Sequence, residues 1–213
     1  MEVFIRNERE IDYREVEELT REAFWNLYVP GCDEHYLVHI MRSHPDFLPE
    51  LSFVAVLNGR IVGNIMYAKS RLVNDTGRSI DTITFGPVSV LPEFQRKGIG
   101  SRLILHTVEI ADSLNHKAIV IFGHPHNYCK HGFVGSKRVN VCDSDGRYPY
   151  SLLVLELEKG CLDKYTWKYV PSDVYSNITE KSTLEFDESF EKKEKCFKPS
   201  QEEFAIASQA FIE

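Results

Sequence analysis

Phe85–Leu103 reads F-G-P-V-S-V-L-P-E-F-Q-R-K-G-I-G-S-R-L. An apolar strand ends at Leu91-Pro92, a short polar loop runs from Gln95 to Gly98, and an amphipathic helix follows. Gly98 and Gly100 leave room for a ligand to approach the backbone closely. The first amides of a helix have no internal partner, and the helix dipole adds partial positive charge there. This end of the helix is therefore an anion site, suited to a pyrophosphate. Arg96 and Lys97 add mobile positive charge around it. Two other phosphate loops do not fit: the dinucleotide fingerprint needs GxGxxG, and the Walker motif needs GxxxxGK with Ser or Thr. Taken alone, Q-x-x-G-x-G also describes an ordinary glycine turn, so the flanks have to decide.

Upstream, Leu51–Leu57 and Arg60–Arg71 read as strands joined by Asn58-Gly59, a pair that accepts the positive φ angles of a two-residue hairpin. Asn74, Asp75 and Gly77 mark the next turn, and Ser79–Val90 is a third antiparallel neighbour. Downstream, Gly98–Leu114 carries Ile99, Leu103, Ile104, Val108 and Ala111 on one face, and Ala118–Phe122 is a short apolar strand. Strand, helix, strand implies a crossover, so Ser79–Val90 and Ala118–Phe122 are expected to run parallel and to splay at Val88–Leu91. At the N-terminal side, Glu2–Arg6 reads as a strand. Asp12 is expected to start a helix, with Glu15 in a capping-box position and Val16, Leu19, Ala23 and Leu27 as its buried stripe. Asp33 opens a second short helix that His44-Pro45 stops. Arg138–Cys142 and Tyr150–Glu156 are expected to form a last antiparallel pair. Beyond Glu158 the chain turns more polar, Glu185–Lys195 reads as a solvated charge run, and Gln201–Phe211 as a closing helix.

With these flanks in place, G-P-V-S-V-L-P-E-F-Q-R-K-G-I-G resembles the acetyl-coenzyme A signature of the GNAT N-acetyltransferases. L-P-E-L-S-F-V-A-V-L-N-G-R-I-V-G-N-I-M-Y resembles that family's central hairpin, and F-G-H-P-H-N-Y-C-K-H-G-F its closing strand, helix and Gly-Phe element. The details look closest to a bacterial branch of predicted acetyltransferases. The resemblance covers residues 1–158 as the acetyltransferase domain and leaves 159–213 as a C-terminal extension packing on the domain or on a partner subunit. It implies an α/β fold, a twisted mixed sheet of about seven strands flanked by helices on both faces.

It also implies roles. The backbone of Val88, Ser89 and Val90 would pair with the pantetheine arm of acetyl-coenzyme A. The amides of Arg96, Lys97, Gly98, Ile99, Gly100 and Ser101 would hold the pyrophosphate, with Gln95 shaping the loop. Asn127 would contact the cofactor arm, and Tyr128 would protonate the departing thiolate. The amine would attack the thioester directly, with a backbone amide near Val88 polarising the carbonyl. The general base is not assigned: family members often carry a Glu on the strand before the signature, or use ordered waters. Here that strand is I-D-T-I-T-F-G-P-V, which has no Glu. Asp81, Glu22, Glu34 and His35 stand as candidates beside a water chain. The acceptor is a primary amine, on a small molecule or a protein, that no motif identifies. A different acyl-coenzyme A, or a coenzyme A-binding module without turnover, are the alternatives.

The bulk numbers agree with this reading. The chain has 213 residues, 43% hydrophobic and 27% charged, with a net charge of −7. That charge argues against nucleic acid as the main partner, since phosphate binding needs a concentrated positive field. No apolar run approaches the roughly 20 residues that span a bilayer, and the acid-bearing N-terminus lacks a signal-peptide core. Five scattered cysteines, Cys32, Cys129, Cys142, Cys161 and Cys196, do not suggest a disulfide framework; a cytoplasmic protein with reduced thiols is expected. His124, His126, Cys129 and His131 are zinc-compatible types, but H-x-H-x-x-C-x-H is no recognised finger pattern, and no metal is expected. Trp25, Tyr28, Tyr36 and Tyr67 are placed either around the acceptor or in packing. Tyr165, Trp167, Tyr169 and Tyr175 are expected to pack the tail or to build a self-association surface, which leaves a homodimer open.

Overall fold

Asn58 and Gly59 take φ of 50° and 82° and close the hairpin between β2 (Phe53–Leu57) and β3 (Arg60–Val73). β4 (Ser79–Val90) pairs antiparallel with β3, and β1 (Phe4–Asn7) pairs with the other edge of β2. This computed structural model describes residues 2–213; Met1, where the domain is expected to begin, lies outside the described residues. The crossover helix α3 (Ile99–Ser113) leads into β5 (Ala118–Phe122). β5 pairs with β4 in parallel through Ile83 and Ile119. The expected crossover is therefore present, with the expected parallel pairing.

Among the described residues the sheet has nine strands rather than about seven. Its order is β1-β2-β3-β4-β5-β8-β6, where β6 is Val134–Gly135 and β8 is Leu152–Glu156. The additional strands are short: β7 (Val141–Cys142) pairs in parallel with β9 (Trp167–Val170), and β9 pairs antiparallel with Arg71–Val73 at the end of β3. Arg138–Cys142 is thus not the antiparallel partner of Tyr150–Glu156. Ser136–Val139 turns as a 3-10 helix, only Val141–Cys142 is extended, and β8 pairs instead with β5 and β6. A two-residue strand carries no alternation by which it could be read.

Helices cover both faces. α3 buries Ile99, Leu103, Ile104 and Ala111, each large aliphatic contributing about 1.5–3 kcal/mol on full burial. Gly63 makes this close packing feasible, since a Cβ there would lie 3.1 Å from Leu103 Cδ1 and 3.2 Å from Ile99 Cγ2. α1 (Tyr13–Phe24) buries Val16 and Leu19. Its expected capping box is not formed. Asp12 instead binds Arg6 at 2.8 Å and the Arg9 amide at 2.8 Å, and Glu15 accepts from the Ile61 amide at 2.8 Å. Glu15 thereby ties α1 to the hairpin.

α2 (Glu34–Met41) follows a short loop, and α4 (Pro125–Tyr128) follows β5. α5 (Glu180–Asp187) and α6 (Pro199–Gln209) lie in the tail. The charge run Glu185–Lys195 is not simply solvated. Asp187 binds Arg21 Nε at 2.6 Å, and the Glu194 carbonyl accepts from Trp25 Nε1 at 2.9 Å and Asn26 Nδ2 at 3.0 Å. The segment is a strap across the end of α1.

Candidate active site

The strands part because β4 gains one residue on β3. Tyr67 faces Phe85 and Ile65 faces Val88, two steps on β3 against three on β4. Among the described residues, no residue of β4 past Ile83 pairs with β5, so the strands part earlier than the expected Val88–Leu91. The gap opens into a cleft of about 830 Å³. Val88 and Val90 line it, while the Ser89 side chain points to the opposite face and lies 3.0 Å from Thr20 Oγ1 in full burial. Among the described residues, the cleft-side edge of Val88–Val90 carries no strand.

Gln95 Nε2 donates to the Val90 carbonyl at 3.0 Å and holds the loop against the strand end. Arg96 and Gly98 then take φ of 58° and 82°, the left-handed region that turns the chain into α3. Among the described residues, the N–H groups of Arg96 through Ser101 find no acceptor. Arg96, Gly98, Ile99, Gly100 and Ser101 line the cleft; Lys97 does not, because its ammonium donates to the Glu93 carbonyl at 2.7 Å. Unpaired amides, a helix N-terminus and an open strand edge meet in one place. They form a donor array that fits a phosphate-bearing ligand with an amide-containing arm.

β5 and α4 supply the far wall with Asn127 and Tyr128. Tyr128 packs over Gly123, where a Cβ would come within 2.3 Å of its Cε2. Its ring meets Phe85 and Phe133 at centroid distances of 5.7 and 6.1 Å. Desolvation first, and Tyr28 second, push the Tyr128 phenol up to about 12. It is therefore protonated at neutral pH, with no partner for its hydroxyl among the described residues.

The opposite wall comes from the end of α1, the start of α2 and the tail: Phe24, Leu27, Tyr28, Glu34, Tyr169 and Tyr175. Tyr169 Oη lies 2.6 Å from Thr84 Oγ1, and Tyr175 Oη donates to the Gly86 carbonyl at 3.4 Å. Both phenols are pushed up by burial. Glu34 is half-buried and accepts from the Asp33 amide at 3.2 Å. Desolvation pushes its carboxyl up to about 7, against the lowering effect of nearby backbone amides.

Of the four base candidates, Glu34 is the one on the cleft wall. Asp81 is exposed opposite Arg71, and Glu22 binds Lys193 at 2.6 Å. His35 is fully buried between Cys32 Sγ, 3.4 Å from Nδ1, and Asp187 Oδ1, 3.1 Å from Nε2; burial holds it down at about 4. Of the early aromatics, Tyr28 reaches the cleft. Tyr67 is core, with its hydroxyl 2.8 Å from Thr107 Oγ1, and Tyr36 packs on Phe186 at 5.4 Å. His124 Nδ1 accepts from the His126 amide at 3.3 Å, and the two rings stand 6.4 Å apart. Among the described residues, the ligand-type side chains that do gather within 4.8 Å are His44, Asp46 and Asp173. Tyr169, Tyr175 and the donor-side His131 are cleft residues that sequence reasoning did not place there. The aromatic spacing of the tail was the available signal for the first two.

Three comparisons bear on this geometry. The family model described as Acetyltransferase (GNAT) family matches residues 18–133. The chain is 29% identical over 113 residues to a protein named Uncharacterized N-acetyltransferase YjhQ from Escherichia coli (strain K12). That match spans 53% of this chain and 59% of the relative, less than two thirds of its length. Among solved structures, the GNAT family N-acetyltransferase YhbS from Escherichia coli, in complex with CoA, superposes with a TM-score of 0.70 at 19% identity, covering 83% of this chain and 93% of that one. A GNAT family acetyltransferase from Brucella melitensis, in complex with acetyl-CoA, gives 0.63 at 22% identity over 82% and 98% of the two chains. Both likenesses concern the fold. Among the described residues, no helix is long and apolar enough to cross a membrane.

Proposed function

Because this chain belongs to the GNAT acetyltransferase family, we propose that it transfers the acetyl group of acetyl-coenzyme A to a primary amine on a small molecule or a protein. The observation that carries this reading is the run of unpaired amides from Arg96 to Ser101, facing a cleft beside the open edge of Val88–Val90. The amides would hold the pyrophosphate, and the strand edge would pair with the pantetheine arm. When bound, acetyl-coenzyme A supplies the activated acyl group as a thioester.

The protein's own work is positioning and proton transfer. Juxtaposing amine and acyl carbon is worth on the order of 7–11 kcal/mol in favourable cases. Tyr128, protonated and packed over Gly123, would supply a proton to the departing sulfur; general acids of this kind contribute about 10²–10⁴-fold. Asn127 would contact the cofactor arm. The five free cysteines support a reducing compartment such as the cytoplasm.

Release of free thiol from acetyl-coenzyme A in the presence of an amine panel tests the proposal. Thiol release that depends on both amine and protein is the expected result. Failure to bind acetyl-coenzyme A by calorimetry would overturn it.

A further inference from the structure

The acceptor wall of the cleft is apolar and aromatic except at one point. Phe24, Leu27, Tyr28, Leu37 and Tyr175 surround Glu34, which is the one charged group of that wall among the described residues. Three other acids near this corner have cations, while the exposed Asp33 beside Glu34 has no ion pair among the described residues. Glu17 binds Arg42 at 2.8 Å, Asp187 binds Arg21 at 2.6 Å, and Glu22 binds Lys193 at 2.6 Å. Glu34 has none among the described residues. The carboxylate accepts the Asp33 amide at 3.2 Å and is also influenced by its own backbone amide; a carboxylate has about four lone-pair sites in all, and Glu34 lines the cleft. A half-buried carboxylate without a counter-charge is costly unless a ligand provides one.

From this placement we infer that Glu34 binds the acceptor's ammonium group and takes its first proton, and that the walls around it select a primary amine on an aromatic or aliphatic body. This rests on the acetyltransferase reading above. Tyr28, whose ring packs on Phe24 and Phe204 at 5.8 and 4.6 Å, and Tyr175 line the cleft beside Glu34, and aromatic rings near a carboxylate favour a cation. Among the described residues no arginine or lysine lies on this wall to receive a carboxylate or phosphate on the acceptor, Arg96 and Lys130 lining the other side of the cleft, and Glu34 repels either. An amino acid or a phosphorylated amine therefore fits poorly.

The protons balance. One leaves the ammonium nitrogen for a Glu34 oxygen and then solvent. The free amine forms a C–N bond to the acyl carbon, the C–S bond breaks, and the sulfur takes the Tyr128 phenol proton. A second proton from the nitrogen restores the phenol. One proton is released per turnover.

Several titratable groups face Glu34. Asp33 and Cys32 precede it, Tyr28 comes from the end of α1, Tyr169 and Tyr175 come from the tail, and His124, Tyr128, Lys130 and His131 lie across the cleft. Burial pushes Cys32 and the four tyrosines up, so they keep their protons through neutral pH. His131 is pushed below its usual value. Burial also raises the Asp33 carboxyl; Glu34, on the cleft wall with its carboxyl pushed up to about 7, is the group we assign to a limb near pH 7, and its replacement tests that assignment.

The test uses the full chain with 2-phenylethylamine and phenylalanine, which share a body and differ by one carboxylate. Thiol release should favour 2-phenylethylamine by at least about tenfold, since like charges brought together are strongly disfavoured. Glu34→Gln should lower kcat/KM for 2-phenylethylamine by about 10²-fold. It should also abolish the rise through pH 7, so that the rate follows the amine's own ionisation and recovers at high pH. Calorimetric affinity for acetyl-coenzyme A should stay at the wild-type value, which confirms folding. Glu34→Asp should keep the limb with reduced rate. Equal use of the two amines overturns the substrate class, and an unchanged limb in Glu34→Gln overturns the proton role. A wild-type protein that binds acetyl-coenzyme A but turns over no apolar amine overturns the inference and leaves the cofactor reading standing. Loss of acetyl-coenzyme A binding in the wild type would instead sink that reading itself.

Discussion

The two walls of the cleft are built in opposite ways. The donor wall is made of backbone, amides and a strand edge, within the single continuous run Val88–Ser101. Its geometry follows from local rules: an extra residue in β4, two left-handed residues and a helix start. The acceptor wall is made of side chains brought from distant stretches, Phe24–Leu37 and Tyr169–Tyr175. It is held by contacts such as Arg21–Asp187 and Thr84–Tyr169. Backbone recognition tolerates sequence change, whereas side-chain recognition does not. One wall can therefore stay constant while the other changes its ligand.

The largest expected effect is on the donor wall. At Gly100 a Cβ would meet only Val90 Cγ2, at 3.7 Å. Gly100→Trp should therefore fold, yet place an indole in the cleft. Calorimetry should detect no acetyl-coenzyme A binding, and unchanged affinity would move the cofactor elsewhere. Gly98 is a poorer probe, because its φ of 82° confounds binding with backbone strain.

Next is Tyr128→Phe, which keeps the ring over Gly123 and removes the hydroxyl. Turnover should fall by about 10²-fold in kcat, with acetyl-coenzyme A affinity retained. Donors with better leaving thiolates should recover part of the loss. Full turnover with chemistry rate-limiting would remove Tyr128 from the mechanism.

Asp187→Ala separates the walls most directly. It strips the partner from Arg21, whose side chain is only 4% exposed, at a cost of about 1–3 kcal/mol. Thermal denaturation should show Tm falling by about 2–4 °C for each kcal/mol. KM for the amine should rise while affinity for acetyl-coenzyme A holds. Equal damage to both would mean that the walls are mechanically one.

The smallest effect is a gain. The Glu34 carboxyl is raised from 4.5 to about 7, so between those values the unfolded chain loses a proton that the folded protein keeps. Stability falls as pH rises through that window, and the loss is complete above it. Glu34→Gln should therefore raise Tm at pH 8 by about 2–4 °C if 1 kcal/mol is recovered. At pH 4 it should leave Tm unchanged.

Legibility in the sequence follows the same divide. Asn58-Gly59, the strand Ser79–Val90, the strand Ala118–Phe122 and the helix after Gly98 all carry local signals, and each stands where those signals put it. β7 and β9 do not, since strands of two and four residues are stabilised by their partners rather than by their own pattern. Glu15 shows the limit of cap rules: the residue type was right for a helix start, but the Ile61 amide claims its carboxylate. Glu34 could be named among four candidates, but burial without a cation is a property of the assembled cleft. Tyr169 and Tyr175 stood out as aromatics, yet nothing local tied them to Thr84 and Gly86.

The pairing of β9 with Arg71–Val73 also sets an order in time. During synthesis the chain from β1 through α3 emerges first, carrying every amide of the donor wall. Tyr169, Tyr175 and Asp187 follow later, and at about 5–20 residues per second the interval lasts several seconds. A nascent chain in that interval already holds the Arg96–Ser101 loop but still lacks the tail residues of the second wall.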